Sequence, residues 1–104
     1  MAKGYGDIMK QAQQMQTRME QLQKELAAKR VEATVGGGMV MVAADGAQHI
    51  IEIRINPEVV KPEDAEMLQE LVLLGVNEAL KKSRETAAQE MSKLTGGMSL
   101  PGLF

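Results

Sequence analysis

The chain of 104 residues contains no cysteine and no tryptophan, and its 2% aromatic content is Tyr5 and Phe104, one near each end. Without cysteine there is no disulfide, no thiolate nucleophile and no thiolate metal site, which excludes the disulfide-stapled secreted class. Two aromatics at opposite ends do not make the stacking platform that readers of single-stranded nucleic acid use. No window approaches the ~18 consecutive apolar residues of a membrane span, and the start MAKGYGDIMKQ holds no apolar export segment. The expectation is a soluble, cytoplasmic protein without a membrane partner. His49 is the sole histidine, so no transition-metal ligand set can be assembled around it. A single domain of this length has no room for a deep substrate cleft beside its core. No enzymatic activity, cofactor, metal or small-molecule substrate is expected.

With so few aromatics, the core must come from Leu, Ile, Val, Ala and nine Met. Apolar residues recur at Ile8, Ala12, Met15, Met19, Leu22 and Leu26, in alternating steps of four and three. This heptad seam predicts a coiled-coil-like helix over 7–29, capped by Asp7 after a start containing Gly4 and Gly6. From Arg30 the period drops to two, with Val31, Ala33 and Val35 forming a strand that Gly36-Gly37-Gly38 ends. The run at 39–44 and the segment 48–55 form two further strands around Asp45-Gly46, with Ile51, Ile53 and Ile55 facing one way. Asn56-Pro57 closes the sheet, and Pro62 opens a helix that runs to Leu94, its first turns rich in acids that suit the helix dipole.

The predicted fold is α+β: helix, three-stranded antiparallel meander, long helix. The last helix would be about 50 Å long against ~20 Å for a strand, so much of it must overhang. The first helix runs towards the sheet and the last runs away, which pairs them antiparallel as an arm, with Ile8 near Met91. Residues 1–94 make one domain and 95–104 read as a flexible tail. Between 67 and 80 the last helix is too apolar for one stripe. A second copy would cover this patch, in particular Leu68, Leu71, Val72 and Leu74, together with the open sheet edges.

The formal net charge is −2, but its distribution is uneven. Residues 1–30 hold Lys3, Lys10, Arg18, Lys24, Lys29 and Arg30 against Asp7, Glu20 and Glu25; residues 31–80 hold two bases against nine acids; residues 81–104 hold Lys81, Lys82, Arg84 and Lys93 against Glu85 and Glu90. Both basic segments fall in the arm and the acidic one at the base. Phosphate backbone is a natural partner for such an arm, and short basic excesses also occur on ordinary solvated helix faces. The triple glycine sits between strands with no helix after it, which makes it a turn rather than a phosphate loop. The acids at 63–70 suit the dipole without a cation, and Ser83, Ser92 and Ser99 would need His49 from the hairpin to form a nucleophile.

The order of elements, with GGGMVMVAADG, the strand end IRINPE and DAEMLQELVLLGVNEALKKSRE, resembles the YbaB/EbfC family of bacterial nucleoid-associated proteins over nearly the whole chain. Gly36, Gly38, Val40, Val42, Gly46, Ile53, Ile55 and Pro57 carry the resemblance. It implies a tweezers-shaped homodimer that binds double-stranded DNA in the nucleoid through its helical arms and affects gene expression, without catalysis. No base-reading motif transfers. Lys3, Lys10, Arg18, Lys81, Lys82, Arg84 and Lys93 are the candidate phosphate contacts from the charge pattern. The alternative is a prefoldin-like chaperone or structural interaction module, since an arm on a β core also suits that class.

Overall fold

The computed structural model describes the backbone of residues 2–94 and the side chains from residue 4. Helix α1 (Ala2–Ala28) leads into strands β1 (Arg30–Val35), β2 (Val40–Asp45) and β3 (Ile50–Ile55), and helix α2 (Ala65–Leu94) ends the described chain. The strands form an antiparallel meander in the order β1-β2-β3. The α+β architecture read from the pattern is therefore observed. The expected tail at 95–104 lies outside the described residues.

The core lies between one face of the sheet and α2. Val40, Val42, Ala44 and Ala33 are buried there with Ala79, and Leu68, Leu71, Val72 and Val76 pack around them. Gly75 marks the closest approach, since a Cβ at that position would stand 2.8 Å from Val42 Cγ2. The turn between β1 and β2 needs its three glycines for another reason. Gly36, Gly37 and Gly38 all have positive φ, at 64°, 66° and 96°, a region that side chains disfavour. Gly36 also lies under Leu71, whose Cδ2 would be 2.9 Å from an added Cβ.

Four expectations require correction. First, α1 begins at Ala2 and not after Asp7. Glycine weakens a helix but does not block its hydrogen bonds as proline does, so Gly4 and Gly6 are carried within it and Asp7 is no cap. Second, β3 starts at Ile50 because the link from β2 is a four-residue loop, not a two-residue turn at Asp45-Gly46. Asp45 Oδ1 accepts from Ala47 N at 2.8 Å and His49 N at 3.0 Å, and Gln48 takes φ 67°. Third, a bulge at Ala43/Ala44 sets Ile50, not Ile51, opposite Ala44. Ile50 thus joins Ile53 and Ile55, paired with Val42 and Val40, on the core face, and Ile51, 51% exposed, is turned away; Ile53 stays 44% exposed because α2 barely covers β3. Fourth, Pro62–Asp64 form a tight 3₁₀ turn that leads into α2 at Ala65.

Candidate nucleic-acid interface

The arm is set by how α1 is fastened to the sheet. Gly46 N donates to Leu26 O at 2.8 Å, and an added Cβ at Gly46 would lie 2.7 Å from that oxygen, so only glycine lets the helix end approach the β2–β3 loop this closely. Leu22 and Leu26 are buried at this junction, and Lys29 pairs with Glu90 at 3.4 Å. From there α1 runs outward beside the end of α2. The expected level of Ile8 with Met91 is not found. Arg18, Gln21, Leu22 and Glu25 share a groove with Glu90, Lys93 and Leu94, which leaves Ile8 about 15 Å further out, ten residues beyond Arg18. The reason is length: the first half of α2 is spent on the sheet, so its described remainder reaches only part of the way along α1. The molecule measures 73 × 24 × 17 Å, with a radius of gyration of 20.0 Å where a compact chain of this size would have about 13 Å.

The bases divide according to their partners. At the base of the arm they are neutralised: Arg30 binds Glu32 and Glu52, Arg54 binds Glu52, and Lys29 and Lys93 both approach Glu90 at 3.4 Å. Hydrogen bonds, first from Arg30 and then from Arg54, lower the Glu52 carboxyl below its ordinary value, and Lys29 foremost lowers that of Glu90. Of the candidate contacts, Lys10, Arg18, Lys81 and Arg84 are exposed and make no ion pair among the described residues. Lys82 is exposed but its Nζ donates to Glu32 O at 2.7 Å, tying it to the edge of β1. Lys93 is 74% exposed beside Glu90. The side chain of Lys3 lies outside the described residues.

Lys10 and Arg18 share a shallow groove on α1 with Gln13, Gln14 and Thr17. Lys81, Lys82 and Arg84 flank Ser83, which is fully buried at the end of the sheet, so this cluster marks the root of the arm and not its tip. Lys24 is not among the candidate contacts of the charge pattern, yet it is exposed, lacks an ion pair among the described residues and falls fourteen residues from Lys10. That spacing is close to four helical turns, so both residues lie on one strip of α1.

The expected self-association residues also divide. Helix α2 lies across β1 and β2 and barely over β3. An apolar groove is left between them, lined by Ile55, Leu68, Gln69, Val72, Leu73 and Val76. Leu68 and Val72 belong to it. Leu71 packs inward against Gly36, and Leu74, 48% exposed, lies outside it. Leu73, 62% exposed, and Val76 do not stand out in the pattern, because a helix apolar on more than one side does not disclose which flank its own sheet leaves bare.

Ser83 has a structural position. Its buried Oγ accepts from Gln48 N at 2.9 Å, while the His49 ring is 73% exposed and its Nδ1 lies 3.3 Å from Asp45 Oδ2. Together these groups hold the β2–β3 loop against α2.

Fold and charge together define a small α+β protein with a partly basic helical arm on a β core. The chain belongs to the YbaB/EbfC DNA-binding family, whose model matches residues 1–98. It is 52% identical over 98 residues to a nucleoid-associated protein of Thermoanaerobacter sp. (strain X514), covering 94% of this chain and 88% of that protein. It is 54% identical over 97 residues to a nucleoid-associated protein of Clostridium acetobutylicum, covering 93% and 87%. Among solved structures it is similar to that of an uncharacterized protein from Helicobacter pylori, with a TM-score of 0.77 and 21% identity over 86% of this chain and 94% of that one. The last likeness is one of fold.

Proposed function

We propose that the protein is a nucleoid-associated protein of the cytoplasm that binds duplex DNA as a homodimer, through phosphate contacts made by its arms, and so influences nucleoid organisation and gene expression. The observation that carries this reading is the division of the bases. Lys29, Arg30, Arg54 and Lys93 are matched by acids, whereas Lys10 and Arg18 out on the arm and Lys81 and Arg84 at its root are exposed and make no ion pair among the described residues. Unmatched cations on a projecting helix suit a dense line of phosphates, and contacts to phosphate position a protein without reading sequence. Family membership supports DNA as the partner. The bare groove beside β3 supports the homodimer, since a second copy seated there would cover Leu73, Val76 and Ile55.

The test is a titration of the protein with duplex and single-stranded DNA of the same length at several salt concentrations. Duplex is expected to bind more tightly, with little preference among sequences, because the chain has no aromatic platform for free bases. Tighter binding to the single strand would count against the reading.

A further inference from the structure

The outer part of α1 carries an apolar face that nothing among the described residues covers. Tyr5, Ile8, Ala12, Met15 and Met19 continue, at steps of three and four, the seam whose inner members Leu22 and Leu26 are buried. The described part of α2 follows that seam out to Leu94, at the level of Arg18 and Leu22. Met19 is half-buried at this margin, and beyond it Tyr5 is 70%, Ile8 64% and Met15 45% exposed. Met9, Gln11 and Gln16 flank the free seam without charge, whereas Lys10, Thr17 and Lys24 recur every seven residues on the opposite face of the helix. Neutral flanks beside an apolar seam spare two identical helices the like-charge repulsion that would keep them apart.

We propose that the seam of α1 from Ile8 to Met19 pairs antiparallel with the same seam of a second copy of this chain. The direction follows from the packing already present. Helix α2 runs outward along α1, and an antiparallel α1 from the second copy runs the same way, taking up the seam where α2 leaves it. Ile8 of each copy then stands opposite Met19 of the other and Ala12 opposite Met15, so the small residue faces a long, adaptable one. A parallel pair would set Ala12 against Ala12 and leave a gap. Arg18, the charged flank, lies beside Gln11 of the second copy and meets no base. A stable interface engages about 20–30 residues a side, and this seam offers far fewer, so the contact forms at high protein concentration and not in dilute solution. It lies apart from the groove beside β3, and it leaves Lys10 and Lys24 facing outward, so it does not depend on the DNA-binding reading.

A spin label at a single introduced cysteine, Glu20→Cys, in the full chain tests it, because the native chain has no cysteine. Spin-labelled, isotope-free copies are mixed at millimolar concentration with isotope-labelled copies that carry no spin label, so that only contacts between copies attenuate the amide signals. The strongest attenuation is expected at Gly6 to Met9, across the antiparallel pair from Glu20. Strongest attenuation near Glu20 itself would mean a parallel pair, and none along α1 would leave the seam to another part of the same chain or another partner; either result overturns the proposal. The same mixture made with Leu73→Glu throughout is expected to give the same pattern, since that substitution changes only the groove beside β3. Its loss there would make the contact a by-product of the groove and overturn the claim of a separate interface. Ile8→Asp, at a site exposed on the arm, is expected to abolish the attenuation and leave amide exchange of the sheet unchanged. Attenuation that survives Ile8→Asp would overturn the proposal as well.

Discussion

Gly75 and Gly6 show how one residue type takes opposite meanings in two helices. In α2 an added Cβ at Gly75 would meet the fully buried Val42 at 2.8 Å, whereas at Gly6 in α1 nothing lies within 4 Å. Alanine raises helix propensity by about 1 kcal/mol at either site, but overpacking a rigid core costs about 1–3 kcal/mol. Gly75→Ala is therefore expected to lower stability by about 1 kcal/mol and Gly6→Ala to raise it slightly, both read from urea midpoints. Asp45 supplies a pH dependence. Its carboxyl is held below the ordinary 3.8 chiefly by the His49 backbone N–H, with burial opposing and Ala47 N–H assisting. Such a group adds stability that is complete above the unfolded value and lost as pH falls through the lower folded value. Asp45→Asn keeps an oxygen to accept both N–H groups but has no charge to lose. Its stability is expected to fall less between about pH 5 and 3 than that of the native chain, although Glu52 and Glu90, lowered likewise, continue to contribute. An unchanged acid slope would count against this role for Asp45.

At the scale of elements, much was legible because periodicity reports which face of an element is apolar. The two-residue period of Val31, Ala33 and Val35 and the triple glycine located the first strand and its turn. The bulge at Ala43/Ala44 was not legible, since 43 and 44 are both alanine and either register keeps an isoleucine on the core side. The offset between α1 and α2 was hidden for a different reason: a heptad seam reports that a helix wants a partner, not how far the partner extends. The same limit applies to α2, whose apolar residues serve both its own sheet and the bare groove. This yields a separable pair of expectations. Leu73→Glu puts a charge into the groove beside β3 and should give a folded monomer by sedimentation equilibrium. Leu71→Glu puts one against Gly36 and the core, and should destabilise the fold by several kcal/mol. A dimer that survives Leu73→Glu unchanged would remove the groove as its interface.

The whole molecule is polarised: an acidic sheet and helix base carry an arm on which Lys10, Arg18, Lys24, Lys81 and Arg84 are exposed and make no ion pair among the described residues. Net charge alone, at −2, would have argued against DNA. Its placement argues for it, because attraction to phosphate is local on the scale of the Debye length, about 8 Å at physiological salt. Part of this was visible in the bare arithmetic of the segments. Which bases are already neutralised was not, since Arg30 and Glu52 are brought together only by the pairing of β1 and β3 with β2. The most direct test of the account is the salt dependence of duplex binding by the native chain and by Lys10→Ala/Arg18→Ala/Lys81→Ala/Arg84→Ala. If each protomer neutralises about two or three phosphates, the native dimer should show a log-log slope of roughly −4 to −5. The fourfold variant should remain dimeric, bind more weakly and show a slope nearer zero. A variant that binds duplex like the native chain at every salt concentration would contradict the assignment of DNA binding to the arm.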